Sequence, residues 1–358
     1  MKPAAPVLSV CIPTYNGAAY LAEAMKSVLE QGDIDLELLM VDDASTDATV
    51  EIARSFDDQR IRHFTSEVNR GLVGNWNRCI ELARGTYLCI FHQDDVMMPG
   101  NLAAKVDLLD RNPRAGLVHS NVLQVGPRGE LLSEWWSPRL GPEDVGVQAG
   151  ATVLDKLLHG GNAVCAPSVI LRRACLEVLG PFDGRLPYTA DWEMWMRVAV
   201  FFDVGYLIEP LVKYRRHEGS ETLKFLGANG LEHAYRAKVL VLDRCGKDIP
   251  GAEHRKGQLR RQYWEFAVHS ARLHGERGDY REACRYLRAA ETFVGGEGDP
   301  APAAEDVRLP AALVELEQVR AELDRVRGRV TAMESSKFWK LRRAWFRLTR
   351  ALRGPGHA

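Results

Sequence analysis

The 358-residue sequence has no G-x-G-x-x-G after a predicted strand and no G-x-x-x-x-G-K-[ST] anywhere. Neither a dinucleotide-binding turn nor a P-loop is therefore available to cradle phosphates with backbone amides. Its seven cysteines, Cys11, Cys79, Cys89, Cys165, Cys175, Cys245 and Cys284, are odd in number and never form C-x-x-C. That spacing excludes a disulfide frame and a cysteine zinc site, and predicts reduced thiols in a cytosolic protein. No run of about 20 apolar residues occurs, and proline and polar residues break the opening "MKPAAPVLSVCIPTYNG"; neither a membrane span nor a signal peptide is expected. Charge of one sign is missing too: the formal net charge of -1 argues against a protein that coats nucleic acid.

What is present is an ordinary globular composition, 46% hydrophobic and 27% charged, with a regular alternation in its first hundred residues. Short β-rich apolar runs, "LSVCIPTYN", "LELLMVDD", "RIRHFTSE" and "TYLCIFHQDD", are separated by "YLAEAMKSVLEQG", "DATVEIARSF" and "LVGNWNRCIELARG", which have helical periodicity. Strand and helix in alternation predict right-handed βαβ crossovers and a mainly parallel sheet flanked by helices, an α/β fold. Ligands on such sheets bind beyond the carboxyl ends of the strands.

Those ends are polar. The first predicted strand ends at Thr14, Tyr15 and Asn16, the second at Asp42 and Asp43, and the fourth at Asp94 and Asp95. Ser45, Thr46 or Asp47 is placed to cap the following helix, which leaves Asp42 and Asp43 without a capping role. Adjacent carboxylates repel, so Asp94 and Asp95 need a compensating cation or a solvated turn; as hard oxygen ligands they suit Mg²⁺ or Mn²⁺ shared with a nucleotide diphosphate.

The segments "VCIPTYNGAAYLAEAMKSVLEQ", "LLMVDDASTDATVEIA", "NRGLVGNWNRCIELARGTYLCIFHQDDVMMPGNL" and "LPYTADWEMWMRVA" together resemble family 2 glycosyltransferases of the GT-A (Rossmann-like) fold, over roughly residues 7 to 220. The resemblance implies a donor site for a nucleoside diphosphate sugar at Thr14, Tyr15, Asn16, Asp42, Asp43, Asn69 and Arg70. It places the D-x-D element on "HQDD", where His92 replaces the first Asp, so that Asp94 contacts the nucleotide and the divalent metal (Mn²⁺ or Mg²⁺) falls to Asp94 and Asp95, without deciding which of the two holds it. It puts the catalytic base of an inverting transfer at Asp191, with Ala190 where the family usually has Glu. A helix cap is the alternative role for Asp191. In "LVKYRRHEGSET", similar to the family's Y-R-x-H-x-x-S, His217 is expected to complete the metal shell and Arg215 or Arg216 to pair with phosphate.

The expected organisation is a catalytic domain over 1–225, a helical cap over 226–294, a Gly/Pro/Ala linker over 295–308, a short coiled-coil-like helix over 309–334 and a basic amphipathic tail over 335–358. "GERGDYREACRYLRAAETF" resembles one arm of a tetratricopeptide-like hairpin. Leu316, Val319, Leu323, Val326, Val330 and Met333 form an a/d seam suited to a homo-oligomer. The tail sets Phe338, Leu341, Trp345, Leu348 and Leu352 against Lys and Arg without one acidic residue, a pattern suited to an anionic membrane surface and not to nucleic acid. Trp135 and Trp136, on a Pro/Gly-rich loop, either stack on an acceptor or pack the loop.

The expected protein is thus an inverting glycosyltransferase at the cytoplasmic face of the cell membrane, using a glycan or lipid-linked acceptor in cell-surface polysaccharide synthesis. The alternatives are a non-catalytic sugar-nucleotide-binding scaffold, and a sugar-phosphate nucleotidyltransferase, whose Gly-rich basic loop after the first strand is absent.

Overall fold

The computed structural model describes residues 5–32, 34–133 and 140–293, with the single positions 325 and 329. Trp135 and Trp136, the linker, the tail and nearly all of the coiled-coil segment lie outside the described residues. Two compact units divide between Arg261 and Gln262.

In the first unit the βαβ alternation is realised as β1 Leu8–Thr14, α1 Leu21–Leu29, β2 Leu36–Asp42, α2 Thr49–Arg54, β3 Ile61–Thr65, α3 Gly71–Leu82 and β4 Tyr87–Ile90. β1 and β2 are buried along nearly their whole length, as strands covered on both faces must be. The chain continues through β5 Val96–Met97, α4 Asn101–Arg111, β6 Ala115–Val125, β7 Leu131–Ser133, β8 Gly146–Gln148, α5 Gly150–His159, β9 Ile170–Arg172, α6 Cys175–Leu179, α7 Ala190–Phe201, β10 Asp203–Arg215 and α8 Ala228–Arg244.

The strands form one sheet in the order β3-β2-β1-β4-β9-β6-β10-β5, with β7 on β6 and β8 on β10. Its long ladders, β1 with β2 and β4, β2 with β3, and β6 with β10, are parallel. Strands of two or three residues supply the antiparallel pairings. The core lies between this sheet and its helices, with Leu8, Val10, Ile12, Met25, Leu38 and Phe91 among its buried members.

The first compact unit continues past residue 225, to Arg261. In α8, Lys238 donates to the Gly160 carbonyl at 2.8 Å and lies over the Trp192 ring at 4.9 Å, while Arg244 donates to the Leu179 carbonyl. These bonds tie α8 to α7 and its neighbouring loops. α9 Ala252–Glu276 crosses the division, and α10 Tyr280–Phe293 belongs to the second unit. There, the ring pairs Tyr263–Phe293 and His274–Tyr286 make α10 run antiparallel to the end of α9, a helical hairpin. Among the described residues no helix is long and apolar enough to cross a membrane.

Candidate active site

The exits of β1, β2 and β4 open into one cleft of about 1010 Å³, whose far wall comes from the start of α7 and the segment after β10. Thr14, Tyr15, Asn16, Asp43, Asn69, Asp94, Asp191 and His217 all line it. Asp42, Arg70, Asp95 and Arg215 do not.

Their partners explain the difference. Asp42 ends β2, and its carboxylate accepts Thr14 Oγ1 at 3.0 Å together with the Ser45 amide and hydroxyl. It is therefore occupied with holding two strand exits together, behind the cleft lining. Asp43, one residue later, accepts the backbone N–H groups of Arg70 and Gly71 and still borders the cleft. Arg70 reaches this network through its main chain, and its side chain is exposed. Asn16 and Ala44 sit at positive φ, 48° and 63°, uncommon for residues with a Cβ. The Asn16 turn is locked by Ser45 and Thr46. Asp47 accepts the Thr49 and Ala18 amides, but the N-cap position of α2 belongs to Ala48, so none of Ser45, Thr46 and Asp47 caps this helix as expected; Asp47 instead ties its start to the β1 exit.

The "HQDD" turn follows β4. Gln93 pairs with both main-chain groups of Tyr15, at 3.0 and 3.1 Å, joining this turn to the β1 exit. His217 Nε2 lies 2.9 Å from Asp94 Oδ2. Burial raises the cost of the Asp94 charge, but the His217 hydrogen bond and the His92 ring outweigh it and hold the carboxyl below its ordinary value. Asp95 is buried behind Asp94. Its Oδ1 accepts the Arg215 N–H at 2.8 Å and its Oδ2 faces His92 Nδ1 at 3.4 Å. Burial and the neighbouring Asp94 charge push the Asp95 carboxyl up. Desolvation works against the charged His92 ring, yet Asp95, Asp94 and Asp191 leave its pKa raised. The ring also stacks on Trp76, with centroids 5.8 Å apart.

His92, Asp94 and Asp95 offer ligand atoms within 4.8 Å of one another, and among the described residues His92 Nε2 and Asp95 Oδ2 are buried without a hydrogen-bond partner. Two carboxylates and an imidazole with lone pairs to spare fit a divalent ion of the Mn²⁺ type. His217 joins the set through Asp94.

Arg215 departs from its expected role. Its Nε donates to the Asp94 carbonyl, its Nη1 to the Gly126 and Pro127 carbonyls, and its Nη2 to Glu23 at 2.6 Å, while its guanidinium lies 4.7 Å from the Tyr20 ring centre. All three of its nitrogens have acceptors in the protein, and the residue does not line the cleft, so it buttresses the Asp94–Asp95 turn. Glu23 and Tyr20, one helix away, were not readable as site residues.

Asp191 stands in the first turn of α7, inside the helix; the N-cap position belongs to Thr189. Its Oδ2 accepts Asn162 Nδ2 at 3.0 Å. Burial pushes the carboxyl up to about 6, with the Trp192 N–H, His92 and Asn162 partly offsetting it. A carboxylate facing the cleft with a pKa near neutrality can take a proton from a hydroxyl. Asn162 follows α5 and carried no sequence signal.

A family model described as Glycosyl transferase family 2 matches residues 9–146. The chain is 31% identical over 199 residues to a PGL/p-HBAD biosynthesis glycosyltransferase of Mycobacterium bovis, covering 54% of this chain and 70% of the relative. Its fold is similar to that of S. aureus TarS 1-349 in complex with UDP-GlcNAc, with a TM-score of 0.56, 18% identity and 80% of each chain covered. It is also similar to the mannosyltransferase PcManGT of Pyrobaculum calidifontis in complex with GDP-Man and Mn²⁺, with a TM-score of 0.53, 18% identity, and 89% and 83% of the two chains covered.

Proposed function

The chain belongs to glycosyl transferase family 2 and is a glycosyltransferase, and from that premise we propose that it inverts the anomeric centre as it moves a sugar from a nucleoside diphosphate donor to a hydroxyl. The observation that carries this reading is the sharing of one cleft by Asp94, from the turn after β4, and Asp191, from the first turn of α7. Thr14, Tyr15, Asn16, Asp43 and Asn69 line the nucleoside end. Asp94, with Asp95 and His92, would hold a divalent cation, while His217, whose two ring nitrogens are engaged by Asp94 and the Gly219 N–H, would support it through Asp94 and not as the ligand expected from the sequence. Such an ion supplies charge neutralisation at the departing diphosphate. Support for donor and ion comes from the neighbours named with UDP-GlcNAc, and with GDP-Man and Mn²⁺.

The proton goes to Asp191. As the acceptor oxygen attacks the anomeric carbon, its hydrogen passes to the carboxylate, the new carbon–oxygen bond forms, and the bond to the diphosphate breaks on the opposite face. Asn162 and the α7 N-terminus hold the carboxylate where it is needed. The acceptor is a glycan or lipid-linked molecule of cell-surface polysaccharide synthesis, and the basic amphipathic tail would keep the enzyme at the membrane's inner face.

The test is incubation with UDP- and GDP-sugars and Mn²⁺, measuring nucleoside diphosphate release and the product's anomeric configuration by NMR. A product of retained configuration would refute the mechanism.

A further inference from the structure

Past Asp191 the cleft changes character. Tyr188, Trp192, Phe225 and Leu226 line it there; of the polar residues beside them, Thr189, Ser220 and Thr222 spend their hydroxyls on the His233 carbonyl, the His217 N–H and the Tyr214 hydroxyl, and Glu221 supplies the one carboxylate. Tyr188 and Phe225 stack face to face, 4.5 Å apart at 8°, and Phe225 meets His233 edge-on. Leu226 is 59% exposed and lines the cleft next to Phe225, so the aromatic pair and the leucine form one apolar surface there.

The shelf is held in shape. Tyr214 and Thr222 hydroxyls bond at 2.9 Å, and the Ser220 hydroxyl accepts the His217 N–H at 3.1 Å, so the shelf is fixed to the same segment that brings His217 to Asp94. At Gly230 in α8 a Cβ would collide with the Phe225 carbonyl oxygen, so glycine is what lets this helix close against the shelf. A preformed apolar surface lowers the ordering cost of binding.

Resting on the reading of Asp191 as base, we infer that the acceptor carries an aliphatic lipid chain next to its reacting end, and that the Tyr188–Phe225–Leu226 shelf holds that chain. An acceptor hydroxyl within reach of Asp191 sends the rest of its molecule along this wall. A sugar unit needs hydrogen-bonding side chains around its ring or an open aromatic face. Tyr188 and Phe225 each spend a face on the other, and they offer edges beside a leucine, a surface that suits methylenes.

Two measurements test this. In transfer assays with paired methyl and octyl glycosides of glucose, galactose, mannose and N-acetylglucosamine, the octyl member of any pair used should have a KM at least about tenfold lower, which roughly two buried methylenes supply. Leu226→Ser and Phe225→Ala should shrink that ratio several-fold, with nucleotide affinity of each variant reporting its folding. Saturation-transfer NMR with octyl β-glucoside below its micelle concentration needs no turnover, and should show the alkyl protons saturated by the wild type and far less by Leu226→Ser. Equal use of methyl and octyl members, a preference for phenyl over octyl glycosides, or unsaturated alkyl protons overturns the inference. If the wild type meanwhile releases nucleoside diphosphate, the transferase mechanism stands and only the shelf assignment falls; absence of release from every nucleotide sugar would instead count against that mechanism.

Discussion

His217 Nε2 and Asp94 Oδ2 are 2.9 Å apart, joining the residue just past β10 to the turn that follows β4. The Gly219 N–H donates to Nδ1 of the same ring at 3.2 Å, so the neutral imidazole carries its proton on Nε2 and points it at Asp94. The pair thus presents one carboxylate and one imidazole to the cleft from two distant parts of the chain.

Asp94→Asn and His217→Ala should each weaken Mn²⁺-dependent nucleotide binding by about 10-fold to 100-fold, the range seen when groups supporting a metal are removed. Isothermal titration of nucleoside diphosphate with and without Mn²⁺ measures it. Wild-type affinity in both variants would remove the metal from this site.

Arg215 predicts a different outcome from that of a phosphate-binding arginine. Lysine cannot reproduce a fork that serves Glu23 and three carbonyls. Arg215→Lys should lower stability by roughly 1–3 kcal/mol, the cost of leaving buried polar groups unpaired, and weaken ion binding through the loosened Asp94–Asp95 turn. Denaturant titration beside nucleotide binding checks it. A variant of unchanged stability that loses only donor affinity would return Arg215 to the phosphates.

How far the sequence foretold this arrangement depends on the range of the contacts involved. β1 to β4 and their helices were legible because each apolar run is long enough to show its period. β5, β7, β8 and β9 have two or three residues each, too few for any pattern, and they turn the second half of the sheet into a mixed one. Asp94 and Asp191 could be marked because their motifs stand at element ends. Asp42 and Asp43 look equivalent in sequence; Thr14 and Ser45 capture the first, and the start of α3 orients the second. Partners such as Glu23 of Arg215 and Asn162 of Asp191 leave no periodic trace, since only the folded chain makes them neighbours.

The basic tail yields a prediction with a sign in salt. Its affinity for anionic lipid would combine apolar burial by Phe338, Trp345 and Leu348 with about 1 kcal/mol per basic residue near the surface. Salt screens the second contribution and not the first, so vesicle binding should weaken at high ionic strength without vanishing. Deleting residues 335–358 should abolish flotation with anionic liposomes while preserving donor hydrolysis. Equal flotation of both forms would assign membrane attachment elsewhere.

Asp191 separates chemistry from support most sharply. As a base it must be ionised, and burial has pushed its carboxyl up to about 6, so kcat/KM should fall roughly tenfold per unit as pH drops below that value. Asp191→Asn should lose about 10²-fold or more in turnover while nucleotide affinity stays near normal, because Thr14, Tyr15 and Asp43 hold the donor end. The stability effect runs the opposite way. A carboxyl whose folded pKa is raised above its unfolded value stabilises the fold fully at low pH, and that contribution is lost as pH rises through about 6. At pH 7.5 the folded protein therefore carries the desolvation cost of a charge there, and the neutral amide removes it, for a gain on the order of 3 kcal/mol. Melting curves of wild type and Asp191→Asn at pH 3.5, 5 and 7.5 should show the variant's advantage absent at the lowest pH, about half developed at pH 5, where the unfolded carboxyl is already ionised, and full at pH 7.5. A variant that instead melts earlier at all three pH values, and loses nucleotide affinity in proportion to turnover, would make Asp191 a support of α7 and send the search for the base elsewhere in the cleft.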